Sequence, residues 1–269
     1  MSRSRRGLRL TAATLAVAAA SPAIAAGADT YVVRALGDST AAGFAMSEML
    51  PTVVGRCVPR LPTERCDHPR RAWPAIVAAE LGSADTGGRH VSFKNRAVSG
   101  STPADWLSRE ETRGDVSALG LRLDATIEDD PDLVLLTMGA NDVISDPRCA
   151  VRIACVLKRR LEERGTKRNV REVLRRLSDE TSARIYFVLY YVPDIDIGGV
   201  IPELNATLRG AARGVPRVHV VTPPSFAGHG CIRRSRGTWL LSPLHDACIH
   251  PNAAGYRAIA RSVLEAIRG

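Results

Sequence analysis

Four short segments spread along the chain hold residue types that together could carry out acyl transfer to a serine: Gly37-Asp38-Ser39, Asn95 to Gly100, Gly139-Ala140-Asn141-Asp142 and His250-Pro251-Asn252. A serine hydroxyl is a poor nucleophile until a neighbouring base takes its proton, so Ser39 needs a histidine within reach. His250 is the leading candidate, because Pro251 and Asn252 interrupt the chain ahead of a helix predicted from Ala253 and so place the imidazole on a loop. The negative oxygen that forms on attack needs donors fixed in advance. Gly100 can bring a bare backbone N–H close to a ligand, Asn141 can add a side-chain amide, and the N–H of Ser39 at a helix start would make a third donor. Taken singly these are weak signals. A Gly-Asp-Ser tripeptide arises by chance in roughly one chain in fifteen of this length, Gly100 and Asn141 also suit ordinary turns or caps, and His68, His90 and His219 read as surface or helix-capping histidines.

Positioning these groups falls to the elements between them. Tyr31 to Leu36, His90 to Ala97, Leu133 to Met138, Arg184 to Val192 and Arg217 to Thr222 read as strands, most of them rich in β-branched or aromatic residues. Helical patterns fill the intervals at Ala72–Leu81, Asp115–Glu128, Asn169–Thr181, Ile201–Ala212 and Ala253–Ile267. Strands alternating with helices predict a parallel sheet covered on both faces. Ligands of such sheets gather at the carboxyl ends of the strands, and those ends carry Ser39, the Ser99-Gly100 segment and Gly139 to Asp142.

The whole chain bounds the setting. Its 269 residues, 45% hydrophobic and 24% charged, predict one globular domain. Residues 1–25 read as a cleaved export signal: Arg3, Arg5 and Arg6 precede an apolar run from Leu10 to Ala20, and Ala23-Ile24-Ala25 fits a cleavage site. Ser4-Arg5-Arg6-Gly7-Leu8 also fits a twin-arginine signal, and an uncleaved anchor is the weaker alternative because the run is short and studded with alanine. The domain is then 26–269, secreted, with no stable membrane insertion. Four of the charges in the formal +9 lie in the signal, which leaves +5. The densest basic stretch, Lys158 to Arg176, interleaves Glu162, Glu163 and Glu172 with Leu157, Leu161, Val170, Val173 and Leu174, and carries no aromatic residue. It predicts a solvated helix face rather than a nucleic-acid surface. Six cysteines in an exported chain predict disulfides, with 15 possible pairings. Short loop closures favour Cys57 with Cys66, Cys149 with Cys155, and Cys231 with Cys248. A zinc site from His229, Cys231, His245, Cys248 and His250 is the alternative, and an oxidising compartment argues against it.

The four segments resemble the sequence blocks of the SGNH hydrolases, also called the GDSL lipase/esterase family, and especially its secreted members with three disulfides. Gly37-Asp38-Ser39 resembles the nucleophile block, Asn95 to Gly100 the glycine block, Gly139 to Asp142 the asparagine block and His250-Pro251-Asn252 the histidine block. Leu204-Asn205 and Phe226 to Cys231 resemble that secreted group too, and the likeness covers nearly everything beyond Tyr31. The resemblance implies a flavodoxin-like three-layer α/β/α sandwich around a five-stranded parallel sheet. It also implies ester hydrolysis through an acyl-enzyme on Ser39, a small-molecule or lipid ester as substrate, a monomer and no cofactor. One departure stands out. The family's aspartate three residues before the histidine is Ala247 here, and Asp246 lies four before. Either Asp246 orients His250, or a backbone carbonyl near Ala247 does so in a Ser-His dyad, or another acid such as Asp142 takes the role. Asp38 reads as a structural brace of its turn. Lipase, phospholipase, short-chain esterase, carbohydrate O-acyl esterase and acyltransferase all remain compatible, with a noncatalytic binding domain on the same scaffold as the rival from another class. Asn205-Ala206-Thr207 fits a glycosylation acceptor but lies in a predicted helix, which marks it as a chance match.

Overall fold

The computed structural model describes residues 30–44, 67–110, 118–144, 161–192, 199–229 and 250–269. The expected signal at 1–25, all six cysteines, His245, Asp246 and Ala247 lie outside the described residues. The strands are β1 (Thr30–Gly37), β2 (His90–Asn95), β3 (Leu133–Thr137), β4 (Arg184–Val188) and β5 (Val218–Val221). The helices between them are α1 (Ser39–Ala42), α2 (Trp73–Glu80), α3 (Ser83–Thr86), α4 (Leu119–Glu128), α5 (Asn141–Ile144), α6 (Thr166–Glu180), α7 (Val200–Ala212) and α8 (Ala253–Arg268). All four strand pairings are parallel, in the order β2-β1-β3-β4-β5. That order is flavodoxin-like, in keeping with the fold that the family resemblance implies, with its switch point between β1 and β3.

Two cores flank the sheet because successive strand residues face opposite sides. On β3, Leu133 and Leu135 join Val33, Ala35, Trp73, Val77, Tyr256 and Ile259 on one face. Val134 and Leu136 join Leu123, Val170, Leu174, Leu177 and Leu208 on the other. Every residue of β3 is buried, as a central strand covered on both sides requires. Within the basic stretch, Leu161, Val170, Val173 and Leu174 are buried while Lys167, Arg168, Arg171 and Arg175 are exposed, so α6 is the amphipathic helix that the spacing predicts.

Several strands end earlier than predicted, each for a local reason. The side chain of Asn95 accepts from the Ala97 N–H at 3.0 Å and turns the chain out of β2. Arg217 has φ 57°, outside the β region, which starts β5 one residue later. Residues 189–192 continue beyond β4 as extended chain, but the backbone N–H and C=O of Tyr190 are taken up by the side-chain amide of Asn205, at 3.0 and 2.7 Å. That pairing ends the ladder and also buries the side chain of Asn205, so the Asn-Ala-Thr triplet is no acceptor in the folded chain. His90 and His219 are exposed as expected, with His219 stacked on Tyr186. His68 is only half-buried: its backbone N–H donates to Gly43, and burial together with the nearby Arg71 charge holds its imidazole below the usual value.

Candidate active site

The site forms at the carboxyl ends of β1 and β3, on either side of the switch point. Strand β1 ends at Gly37, where φ is 127° and a Cβ would stand 2.0 Å from the carbonyl oxygen of Thr137 on β3. Only glycine lets the two strand ends approach so closely. The next residue, Asp38, caps α1: its carboxylate accepts from the Thr40 N–H at 3.1 Å, and its own N–H donates to Thr137 at 3.0 Å. Ser39 is therefore the first residue of a helical turn, presented over the sheet.

His250 meets it there. Its Nε2 lies 2.6 Å from Ser39 Oγ, a contact between residues 211 apart in sequence. Asn252 caps α8 by accepting from the N–H groups of Ala254 and Gly255, at 2.9 and 3.1 Å, which fixes the chain just after the histidine. The ring of Phe44, just past α1, packs on the imidazole with centroids 4.9 Å apart and a tilt of 46°.

The two other segments close around this pair. Asn141 opens α5, and its Nδ2 donates to the Ser101 carbonyl at 2.9 Å. One amide hydrogen is thereby occupied and the other remains for a ligand. Gly100 has φ 81° with open space around it. The turn that carries it is tied down on both sides. Before it, the carboxylate of Asp67 accepts from Ser99 through both the backbone N–H, at 3.0 Å, and the hydroxyl. After it, the Ser101 hydroxyl donates to the Gly37 carbonyl at 3.1 Å and accepts from the indole of Trp106 at 3.1 Å. Thus Ser39, His250, Asn141 and the Gly100 turn are brought together.

Two carboxylates are buried here, and among the described residues neither has a basic side chain hydrogen-bonded to it. Burial pushes Asp38 up to about 6, against hydrogen bonds from Tyr190 and from the Thr40 N–H that pull it down. Asp142 is also pushed to about 6 by burial, opposed by the Thr166 hydroxyl, which donates to it at 2.6 Å. That bond ties Asp142 to Thr166 at the start of α6. Asp38 braces its turn as expected, but it has a partner that sequence reasoning missed, the phenol of Tyr190. Asp67 and Ser101 were missed as well. The one local signal was the position of Ser101 directly after the glycine block.

Among the described residues no group of three His, Cys, Asp or Glu is placed to hold a metal ion, and no helix is long and apolar enough to cross a membrane. Of the alternative zinc set, His229 and His250 are described and the other three are not.

The sequence profile of the GDSL-like lipase/acylhydrolase family matches residues 35–258. Among solved structures, the chain is similar in fold to a lipase from a goat rumen metagenome, at 15% identity and TM-score 0.57, over 88% of this chain and 97% of that one. It is likewise similar to LAE5, an alpha/beta hydrolase enzyme from the metagenome of Lake Arreo, at 18% identity and TM-score 0.53, over 88% and 95%. An acetylxylan esterase from Geobacillus stearothermophilus aligns at 16% identity and TM-score 0.52, over 88% and 94%. No curated protein matches the sequence.

Proposed function

The chain belongs to the GDSL-like lipase/acylhydrolase family and is a carboxylic ester hydrolase, and from that premise we propose that it works through an acyl-enzyme on Ser39. His250 Nε2 takes the hydroxyl proton as Ser39 Oγ bonds to the acyl carbon. The carbonyl oxygen becomes an oxyanion held by the N–H groups of Ser39 and Gly100 and by the free amide hydrogen of Asn141. Collapse breaks the ester C–O bond, and the imidazolium returns its proton to the leaving alcohol. Water then attacks the acyl-enzyme, giving its proton to His250, and the carboxylic acid leaves as Ser39 recovers its hydrogen. No cofactor enters this sequence. The observation that carries the reading is the 2.6 Å approach of His250 Nε2 to Ser39 Oγ.

The decisive experiment is Ser39→Ala assayed on p-nitrophenyl esters of graded chain length, beside phospholipids and acetylated sugars. Turnover is expected to fall to the uncatalysed level for whichever substrate the protein prefers, with the fold retained. A folded variant that keeps substantial turnover overturns the assignment. For the histidine's orientation we propose the backbone carbonyl near Ala247 rather than Asp246. Asp246→Asn is then expected to lose less than about tenfold in kcat, near 1.4 kcal/mol, whereas a roughly thousandfold loss would make Asp246 the third member of a triad.

The setting is part of the proposal: a secreted monomeric domain, 26–269, freed by cleavage after residue 25 and stapled by Cys57–Cys66, Cys149–Cys155 and Cys231–Cys248. Cys248 is two residues before His250, so its bridge would anchor the histidine loop. N-terminal sequencing and nonreducing peptide mapping of protein recovered from the medium test these points together.

A further inference from the structure

The Tyr190 phenol occupies a place that packing alone does not explain. Tyr190 lies past the end of β4, buried, and every hydrogen-bonding group it has is engaged. Its backbone is held by Asn205 of α7, its hydroxyl donates to the Asp38 carboxylate, and the same oxygen accepts from the Ala140 N–H at 3.0 Å. A bare phenyl ring would fill the same volume without a buried hydroxyl, and an apolar residue in place of Asp38 would avoid a buried carboxylate. Polar groups withdrawn from water in this way are costly unless paired, and local packing needs neither group.

The partners of the phenol give the reason. Asp38 is the residue before the nucleophile, and Ala140 is the residue before Asn141. We infer that Tyr190 is a positioning residue: its hydroxyl yokes the nucleophile turn to the oxyanion-donor turn, so that Ser39 and the Asn141 amide are held at one spacing while charge develops between them. The inference rests on the reading of Ser39 and Asn141 given above. It adds a residue that touches neither substrate nor reacting atoms and acts through the two turns. The yoke is over-determined, because Ser101 makes a second link between the same segments, with its hydroxyl on Gly37 and its carbonyl on Asn141. Geometry held from two sides is what preorganised donors require, since a small misplacement weakens them where charge appears.

A yoke of this kind acts on the transition state more than on substrate binding. Tyr190→Phe is therefore expected to lower kcat by at least about tenfold and to leave KM within about twofold. Asp38→Asn should do the same. The double variant should lose no more than the worse single, because both remove one linkage. Melting curves of each variant, with kinetics measured well below the transition, separate the yoke from a fold-stabilising bond. If Tyr190→Phe melts earlier but keeps its kcat, or if its whole effect lies in KM, or if the two losses multiply, the inference is wrong. If Tyr190→Phe does not fold, Asp38→Asn carries the same kcat and KM test alone. Ser39→Ala, run in parallel, distinguishes the two levels: an inactive Ser39→Ala beside a fully active Tyr190→Phe overturns the yoke and spares the nucleophile, whereas an active Ser39→Ala removes both.

Discussion

Strand β1 and the residue that follows it hold two buried charged side chains four positions apart, Arg34 and Asp38, and the protein treats them in opposite ways. Arg34 is paired: its Nε donates to Asp129, which also accepts from Arg96 at 2.7 Å, and its Nη1 donates to the carbonyls of Val33 and Ser92, both at 2.9 Å. Burial alone would raise the Asp129 carboxyl, but the two guanidinium groups outweigh it and hold the group below its usual value. Asp38, just past the strand's carboxyl end, takes its hydrogen bonds among the described residues from neutral donors, the Tyr190 phenol and the backbone N–H groups of Thr40 and Ala140, feels a weaker downward pull from the His250 charge, and sits at about 6. A charge matched by counter-charges is a fastener. A charge held by neutral donors beside the nucleophile is a strained one, and in a fold of this class such strain gathers where chemistry is done.

The sharpest way to break this contrast is to exchange the symptoms. Asp129→Ala leaves two guanidinium groups without their carboxylate. A fully buried pair would lose about 3–5 kcal/mol, and since Asp129 is partly exposed we expect about 2–3 kcal/mol in denaturant unfolding, with kcat of the folded variant unchanged. A loss of turnover without a loss of stability would show that the Arg34 cluster is no mere fastener. Asp38→Asn should give the mirror image: a fall in kcat of about ten- to a hundredfold, near 1.4–2.7 kcal/mol of barrier, with unfolding free energy within about 1 kcal/mol of the parent.

A smaller effect distinguishes the two regions by pH. In the folded chain Asp38 and Asp142 hold their protons up to about 6, against 3.8 for the ordinary group. The folded state therefore binds more protons than the unfolded state in that interval, and stability falls as pH rises from about 4 to 6. Asp124 and Asp129 shift the other way: burial opposes them, their arginine partners prevail, and the stability they add is lost only as pH drops below their unfolded value. The protein should be more stable at pH 5 than at pH 7, by about 1 kcal/mol for each raised carboxyl. Asp38→Asn should erase about half of that difference, and an unchanged pH slope in that variant would show that Asp38 is not one of its sources.

Much of this architecture was legible in local patterns. Leu133 to Met138 announces a buried strand by its run of apolar residues, and α6 by its spacing of Val170, Val173, Leu174 and Leu177. The meeting of Ser39, Gly100, Asn141 and His250 was legible because four blocks, each weak alone, occur in an order and placement that resemble those of the SGNH hydrolases. Tyr190, Asp67 and Ser101 were not. Tyr190 stands in the apolar run from Ile185 to Val192 and reads as core, and its role is set by a partner 152 residues away. Asp67 lies in a Pro- and Arg-rich stretch without periodicity, and its bonds to Ser99 span 32 residues. Sequence pattern encodes which face a residue presents, but not which distant polar atom it will meet.

The 211-residue separation of Ser39 and His250 has a consequence for biosynthesis. On the proposed mechanism, a ribosome delivers the nucleophile, its capping aspartate and the glycine and asparagine turns long before it delivers the base, at about 5–20 residues per second. For many seconds the emerging chain holds a serine with no proton acceptor, and the pair can form only after α8, whose Tyr256, Ile259 and Val263 are buried on the β1 face, has docked. Closing so long a loop is entropically late work. If Ser39 and His250 act as proposed, hydrolytic competence is timed to coincide with near-complete folding, and partly made chains are esterases in waiting rather than active ones.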